Sequence, residues 1–233
     1  MKDGRQYLPP GHSPTKNQGV MDENGNPVLM SLRDHDIFVL KQIGKDESGI
    51  KSNDFETAFI YALDGTKERV SQGKGTAVEF SEKHIEKMRN GVLTHNHPLS
   101  GASLSQDDLE LFTYAGMREM RAVTPSGSWT FKQGRNETWD KFSDSQKLSV
   151  VQQVSAMAEN RVRTKMQGLV NNGLISPDDA SFIGEHIRNK TIVSLNLTDK
   201  DKKIYRIPIE YRHSHNASES DRIKKLEDIY YKN

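Results

Sequence analysis

Val92-Leu93-Thr94-His95-Asn96-His97-Pro98, continued by Leu99-Ser100-Gly101-Ala102-Ser103-Leu104-Ser105-Gln106-Asp107-Asp108, is the stretch of this chain that packing alone explains least. A short apolar run of strand character delivers His95, and His97 follows two residues later. Side chains alternate faces along an extended backbone, so the two imidazoles point the same way. After a Gly-Ala-Ser loop, Ser105 to Asp108 open a helix, which can bring the Asp108 carboxylate back beside the histidines. Strand, loop and helix start together imply an α/β unit.

The sequence on either side extends that unit. Upstream, Phe55 to Leu63 reads as a strand apolar on both faces, as in a sheet covered on both sides, with Glu56 the exception to its surroundings. Asp64-Gly65 predicts a tight turn and a returning strand. Thr76 to Phe80 is a further strand candidate, and Ser81 opens a charged helix ending near Asn90-Gly91. Before these, Ile37, Phe38, Leu40 and Ile43 predict a short helix with His35 in its first turn and Gly44 as its stop. Downstream, Leu109, Phe112, Gly116 and Met120 fall on one helical face, and Ala122-Val123-Thr124 and Trp129-Thr130-Phe131 flank a turn at Pro125 to Ser128. Residues 33 to 135 are therefore expected to form an α/β domain.

Residues 1 to 32, with Pro9-Pro10, Gly11 and Pro14, read as an extended arm in which His12 is a solvated loop residue. Residues 136 to 233 read as a helical extension with a β-hairpin and a charged tail. Its first helix spans Glu137 to Val170, with Leu148, Val151, Val154, Met157 and Ala158 at helical spacing and a stop at Asn171-Asn172-Gly173. A second begins at Ser176-Pro177 and runs to about Arg188. The hairpin is expected from Thr191 to Leu197 and Lys203 to Ile209.

The bulk composition narrows the function classes. With 233 residues, the chain can bury a sizeable core, and a net charge of +1 offers no general attraction to nucleic acid. There is no cysteine, so a transition-metal site must be built from histidine and carboxylate. No apolar run reaches the roughly 20 residues of a membrane span, and no signal-peptide pattern opens the sequence. A soluble, cytoplasmic protein without a membrane partner is the expectation.

An imidazole pair binds zinc well, but catalytic sites usually have three protein ligands and one open position. Asp108 is the nearest candidate for the third. Bound zinc lowers the pKa of its water to about 7, and a carboxylate outside the ligand set must then accept the proton. Glu56, among apolar neighbours, suits that role. Two plainer readings stand beside these: Ser105 and Asp108 form a Ser-x-x-Asp capping box, which alone accounts for both, and Arg212-His213-Ser214-His215 is also His-x-His, yet sits in polar sequence that reads as a solvated tail.

Glu56, His95-Asn96-His97-Pro98, the seven residues from Pro98 to Leu104, Ser105 and Asp108 together resemble the Glu / His-x-His-Pro / Ser-x-x-Asp signature of the JAMM (MPN-plus, JAB) metalloproteases. The Thr-His-Asn-His-Pro wording is most similar to the prokaryotic and RadC-like branch. The resemblance covers residues 33 to 135. It implies a JAMM-like (cytidine-deaminase-like) mixed sheet flanked by helices, zinc held by His95, His97 and Asp108, and Glu56 as general acid/base. It also implies Ser105 as an oxyanion stabiliser. Glu79 is a rival for the glutamate, which lies far from the histidines in sequence. The reaction implied is zinc-dependent hydrolysis of an amide bond by a peptidase or isopeptidase, with a protein substrate such as a ubiquitin-like conjugate. The alternative is a non-catalytic JAMM-like module for binding or assembly, for example in a phage particle or a secreted complex. A DNA-related setting, suggested by the RadC-like wording, has no support from the charge.

Overall fold

The computed structural model describes residues 22–24, 28–71, 78–98, 103–198 and 204–233. Most of the expected arm, including His12, lies outside these residues, as do the start of the strand expected at Thr76, residues 99–102 of the loop after Pro98, and the turn of the expected hairpin.

Ser31 opens α1 (Leu32–Leu40), its Oγ accepting from the Asp34 N–H at 3.1 Å, and α2 (Ile43–Ile50) follows directly. Gly44 therefore lies inside the second helix instead of ending the first, because Ile43 and Phe38 pack from separate helices against Val39, Tyr61 and Val92. β1 (Thr57–Tyr61) and β2 (Lys67–Ser71) form the hairpin expected at Asp64-Gly65. Gly65 takes a φ of 82°, which a side chain would disfavour, and Asp64 Oδ1 accepts from the Thr66 N–H at 2.8 Å. Val78 to Phe80, expected as the end of a strand, are irregular.

Ser81 caps α3 (Glu82–Met88), β3 (Val92–Asn96) follows, and Ser105 caps α4 (Gln106–Tyr114). The helical face predicted to reach Met120 stops earlier. Gly116, at a φ of 60°, terminates the helix, and Met120 sits on β4 (Glu119–Thr124), which pairs with β5 (Gly127–Gln133).

The long helix expected from Glu137 is two, α5 (Glu137–Asp140) and α6 (Asp144–Asn171), because Asn136 and Ser143 each cap their own start. α7 (Pro177–Ser194) begins at its Ser176 cap as expected but runs past Arg188 to Ser194, since helical burial continues through Ile192. Among the described residues β6 (Leu197–Thr198) and β7 (Ile204–Tyr205) are what remains of the expected hairpin, and Ile209 belongs instead to β8 (Ile209–His215), followed by α8 (Ala217–Lys232).

β8 corrects the sequence reading most sharply. Arg212-His213-Ser214-His215 is exposed at its first three residues, as expected, but it is not a tail: it is the second half of a strand paired antiparallel with β5, with Trp129 opposite His213. The Trp129 ring lies 5.2 Å from the ring of His213 and 4.3 Å from that of His215, an aromatic partner 84 or more residues away that local polarity could not reveal.

Among the described residues, six strands make one mixed sheet in the order β2-β1-β3-β4-β5-β8, with helices on both faces. Only β3 and β4 are parallel, and α4 supplies the crossover such a pair requires. The main core packs Leu93, Ala122, Trp129 and Phe131 of the sheet against Leu109 and Phe112 of α4, Val154 and Ala158 of α6, and Ile187 of α7. Helices and a strand from residues 136 to 233 thus share one hydrophobic cluster with the strands that carry the histidines. Among the described residues no helix is long and apolar enough to cross a membrane.

Candidate metal centre

The parallel β3-α4-β4 unit puts the carboxyl end of β3 beside the amino end of α4, the crevice where open α/β sheets place their ligands. His95 sits on β3 between Ala58 of β1 and Ala122 of β4, and the small neighbours leave room for its ring. His97 follows just beyond the strand, its N–H bonded to the Val123 carbonyl at 3.2 Å. The two side chains leave the same face, as alternation requires, and their Nε2 atoms are 3.0 Å apart.

Asp108 completes the group. Its Oδ1 is 3.2 Å from His95 Nε2, and its Oδ2 is 3.5 Å from His97 Nε2. One donor atom from each of the three residues falls within a 4.8 Å cluster. Four donors arranged tetrahedrally at about 2.1 Å around one ion are separated by about 3.4 Å, so the observed spacings fit a shared ion. This His-His-Asp group can hold a metal ion.

The capping reading of Ser105 and Asp108 is equally true of the structure. Ser105 Oγ accepts from the Asp108 N–H at 3.1 Å, while Asp108 Oδ2 accepts from the Ser105 N–H at 2.7 Å and from its hydroxyl at 2.8 Å. A single carboxylate therefore ties off the helix with one oxygen and faces His95 with the other. Burial pushes the Asp108 pKa up, but the two imidazoles outweigh it and hold the group well below the usual carboxylate range. His95 Nδ1 is buried without a hydrogen-bond partner among the described residues, so the strand and the packing around the ring orient it.

Glu56 lies immediately before β1. Burial raises its pKa, and the charges acting on it are those of His95, Asp108 and His97. Glu79 is exposed in irregular chain, so of these two glutamates Glu56 is the one that feels the triad's charges. Asn96, the residue between the histidines, is fully buried on the opposite face of β3. Its Oδ1 accepts from the Thr57 N–H at 2.7 Å, and its Nδ2 donates to the Asn53 and Phe55 carbonyls, each at 3.2 Å. Asn96 thereby pins the backbone on both sides of Glu56 to the strand that carries His95. Sequence reasoning assigns Asn96 no role, and its strand position opposite the histidines is the signal available for it.

Glu185 of α7 was also missed. Burial raises its pKa foremost, and His97 and Asp108 are among the charges acting on it. It lies one helical turn before Arg188 and Asn189, both of which bond the Leu104 carbonyl, so that face of α7 looks toward the ligand turn. No family model, curated protein or solved structure matches the chain.

Proposed function

We propose that this chain is a zinc-dependent peptidase or isopeptidase of JAMM type that hydrolyses an amide bond in a protein substrate, with a ubiquitin-like conjugate as one candidate. The observation that carries the reading is the convergence of His95, His97 and Asp108 donor atoms at separations of 3.0 to 3.5 Å, with Glu56 within electrostatic reach. Two neutral imidazoles and one carboxylate are a ligand set suited to zinc, which when bound supplies a Lewis acid that acidifies water and polarises a carbonyl.

The chain's own residues do the rest. Glu56, its pKa raised by burial, accepts a proton from the attacking water and returns it to the amine nitrogen as the C–N bond breaks. Asn96 keeps that carboxylate in register with the histidines. Ser105 already donates its hydroxyl hydrogen to Asp108, so to stabilise an oxyanion it must exchange that acceptor for the substrate oxygen.

The test is metal content and hydrolysis of a model isopeptide by protein purified without chelator. One zinc per chain and turnover are expected. Absence of bound zinc overturns the reading, and zinc without turnover on amide substrates points to a binding module.

A further inference from the structure

A buried polar chain runs from the C-terminal helices to the residues just before the Ser105 cap. Glu227 of α8 accepts from His186 Nε2 at 2.7 Å and from Lys190 Nζ at 2.6 Å. His186 Nδ1 is 2.9 Å from the Tyr211 hydroxyl, and that hydroxyl is 2.6 Å from Ser103 Oγ. Asn189 Nδ2 donates to Ser103 Oγ at 3.1 Å and to the Leu104 carbonyl at 2.8 Å, and Arg188 Nη2 donates to the same carbonyl at 3.2 Å. With the carboxylate as acceptor and His186 neutral, donation follows one direction throughout: Asn189 to Ser103, Ser103 to Tyr211, Tyr211 to His186, His186 to Glu227.

Packing alone does not call for this arrangement. His186, Asn189, Ser103 and Leu104 are all 0% exposed, and their hydrogen bonds run to one another and to Tyr211, Arg188 and Glu227. A buried network of this kind is rigid when complete and costly when one member is lost. Both ends are informative. One lies on α7 and α8, in the segment outside the resemblance. The other grips Ser103 and Leu104, whose neighbour Ser105 shares three hydrogen bonds with Asp108.

We infer that Asn189 and Tyr211 are positioning residues of the metal centre, holding the Ser103-Leu104 backbone so that Asp108 stays aligned with His95 and His97. The inference rests on the metal-site reading of those three ligands. It makes residues 136 to 233 a required part of the centre, contributing through α7 and β8 instead of through a ligand.

The test uses the full chain. Zinc affinity is measured by chelator competition for wild type, Asn189→Leu, Tyr211→Phe and, as a control for general loss of stability, Val162→Ala in the α6 core. Amide hydrogen exchange at Ser105 to Asp108 is followed in the metal-free proteins. Tyr211→Phe removes one hydroxyl at nearly constant shape and so remains testable where Asn189→Leu does not fold. Loss of outer hydrogen bonds to a ligating group typically weakens metal binding about 10- to 100-fold. Asn189→Leu and Tyr211→Phe act one step further out, through Ser103 and Leu104, and are expected to weaken zinc binding toward the lower end of that range, about 10-fold, with faster exchange at the turn and Val162→Ala near wild type in both. Wild-type affinity and wild-type exchange in the two variants overturn the inference while leaving the metal reading intact. Wild type that binds no zinc ends the metal reading, and the inference with it.

Discussion

Acidification should destabilise this protein through a histidine far from the metal centre. Both ring nitrogens of His215 are buried without a hydrogen-bond partner among the described residues. Burial, followed by the charges of His213 and His186, lowers its pKa from the ordinary 6.5 to about 4. The folded value lies below the unfolded one, so as pH falls the unfolded chain takes up the proton first. Stability from this group is complete above pH 6.5, declines between pH 6.5 and about 4, and is level below that. A gap of about 2.5 between the two values corresponds to at most about 3.4 kcal/mol, at about 1.36 kcal/mol per pH unit. His215 is only partly buried as a residue, and screening reduces the figure to about 1 to 2 kcal/mol. The measurement is urea unfolding of metal-free wild type and His215→Leu from pH 8 to pH 4. Leucine keeps the apolar contact with Trp129 and cannot titrate, so the difference between the two proteins isolates this group from other titrations. At pH 8 the variant should be at least as stable, because two unsatisfied buried nitrogens are removed. Its advantage should grow by about 1 kcal/mol or more on reaching pH 4.5. Parallel stability curves for the two proteins would refute the reasoning.

Glu56→Gln should retain stoichiometric zinc and lose about 100-fold or more in turnover, read by metal analysis beside isopeptide hydrolysis. In the metal-free protein the Glu56 carboxyl should titrate above the ordinary 4.5 of glutamate, because burial raises it; a side-chain carboxyl NMR titration with its midpoint below 4.5 would contradict the assignment. His97→Ala should abolish tight zinc binding with little change in the far-UV spectrum, since the residue follows β3 and does not build it. A Cβ on Gly127 would overlap the Ser214 carbonyl oxygen and the His215 ring, so Gly127→Ala should force β8 away from β5. A loss of about 1 to 3 kcal/mol in denaturant unfolding is expected, with an altered Trp129 fluorescence.

What could be read from sequence was local chemistry. Ser81, Ser105 and Ser176 announced their helices because a hydroxyl just before an unsatisfied N–H row is a short-range signal. Asp64-Gly65 announced its turn in the same way. The triad was legible because strand alternation and a helix start place His95, His97 and Asp108 within reach of one another inside 14 residues. Local signals were also misjudged: Val78 to Phe80 form no strand, Gly116 ends α4 before Met120, and the caps at Asn136 and Ser143 split the long helix in two. At Gly44, at Thr191 to Ser194, which continue α7, and at Arg212 to His215, a partner distant in sequence decided the local state.

The amino-acid sequence by itself determined the His-His-Asp group, its spacing and the elements that present it, because backbone geometry over a few residues fixes where adjacent side chains point. Tertiary structure alone decided that Glu56 senses the triad, that Asn96 pins it there, and that His213 and His215 line a strand against Trp129. It also decided that α7 reaches the turn before Asp108. The physical reason is shared: antiparallel pairing of β5 with β8 and the hydrogen bonds from Asn189 to Ser103 and Leu104 join residues about 85 positions apart, and such contacts leave no periodic trace in either segment.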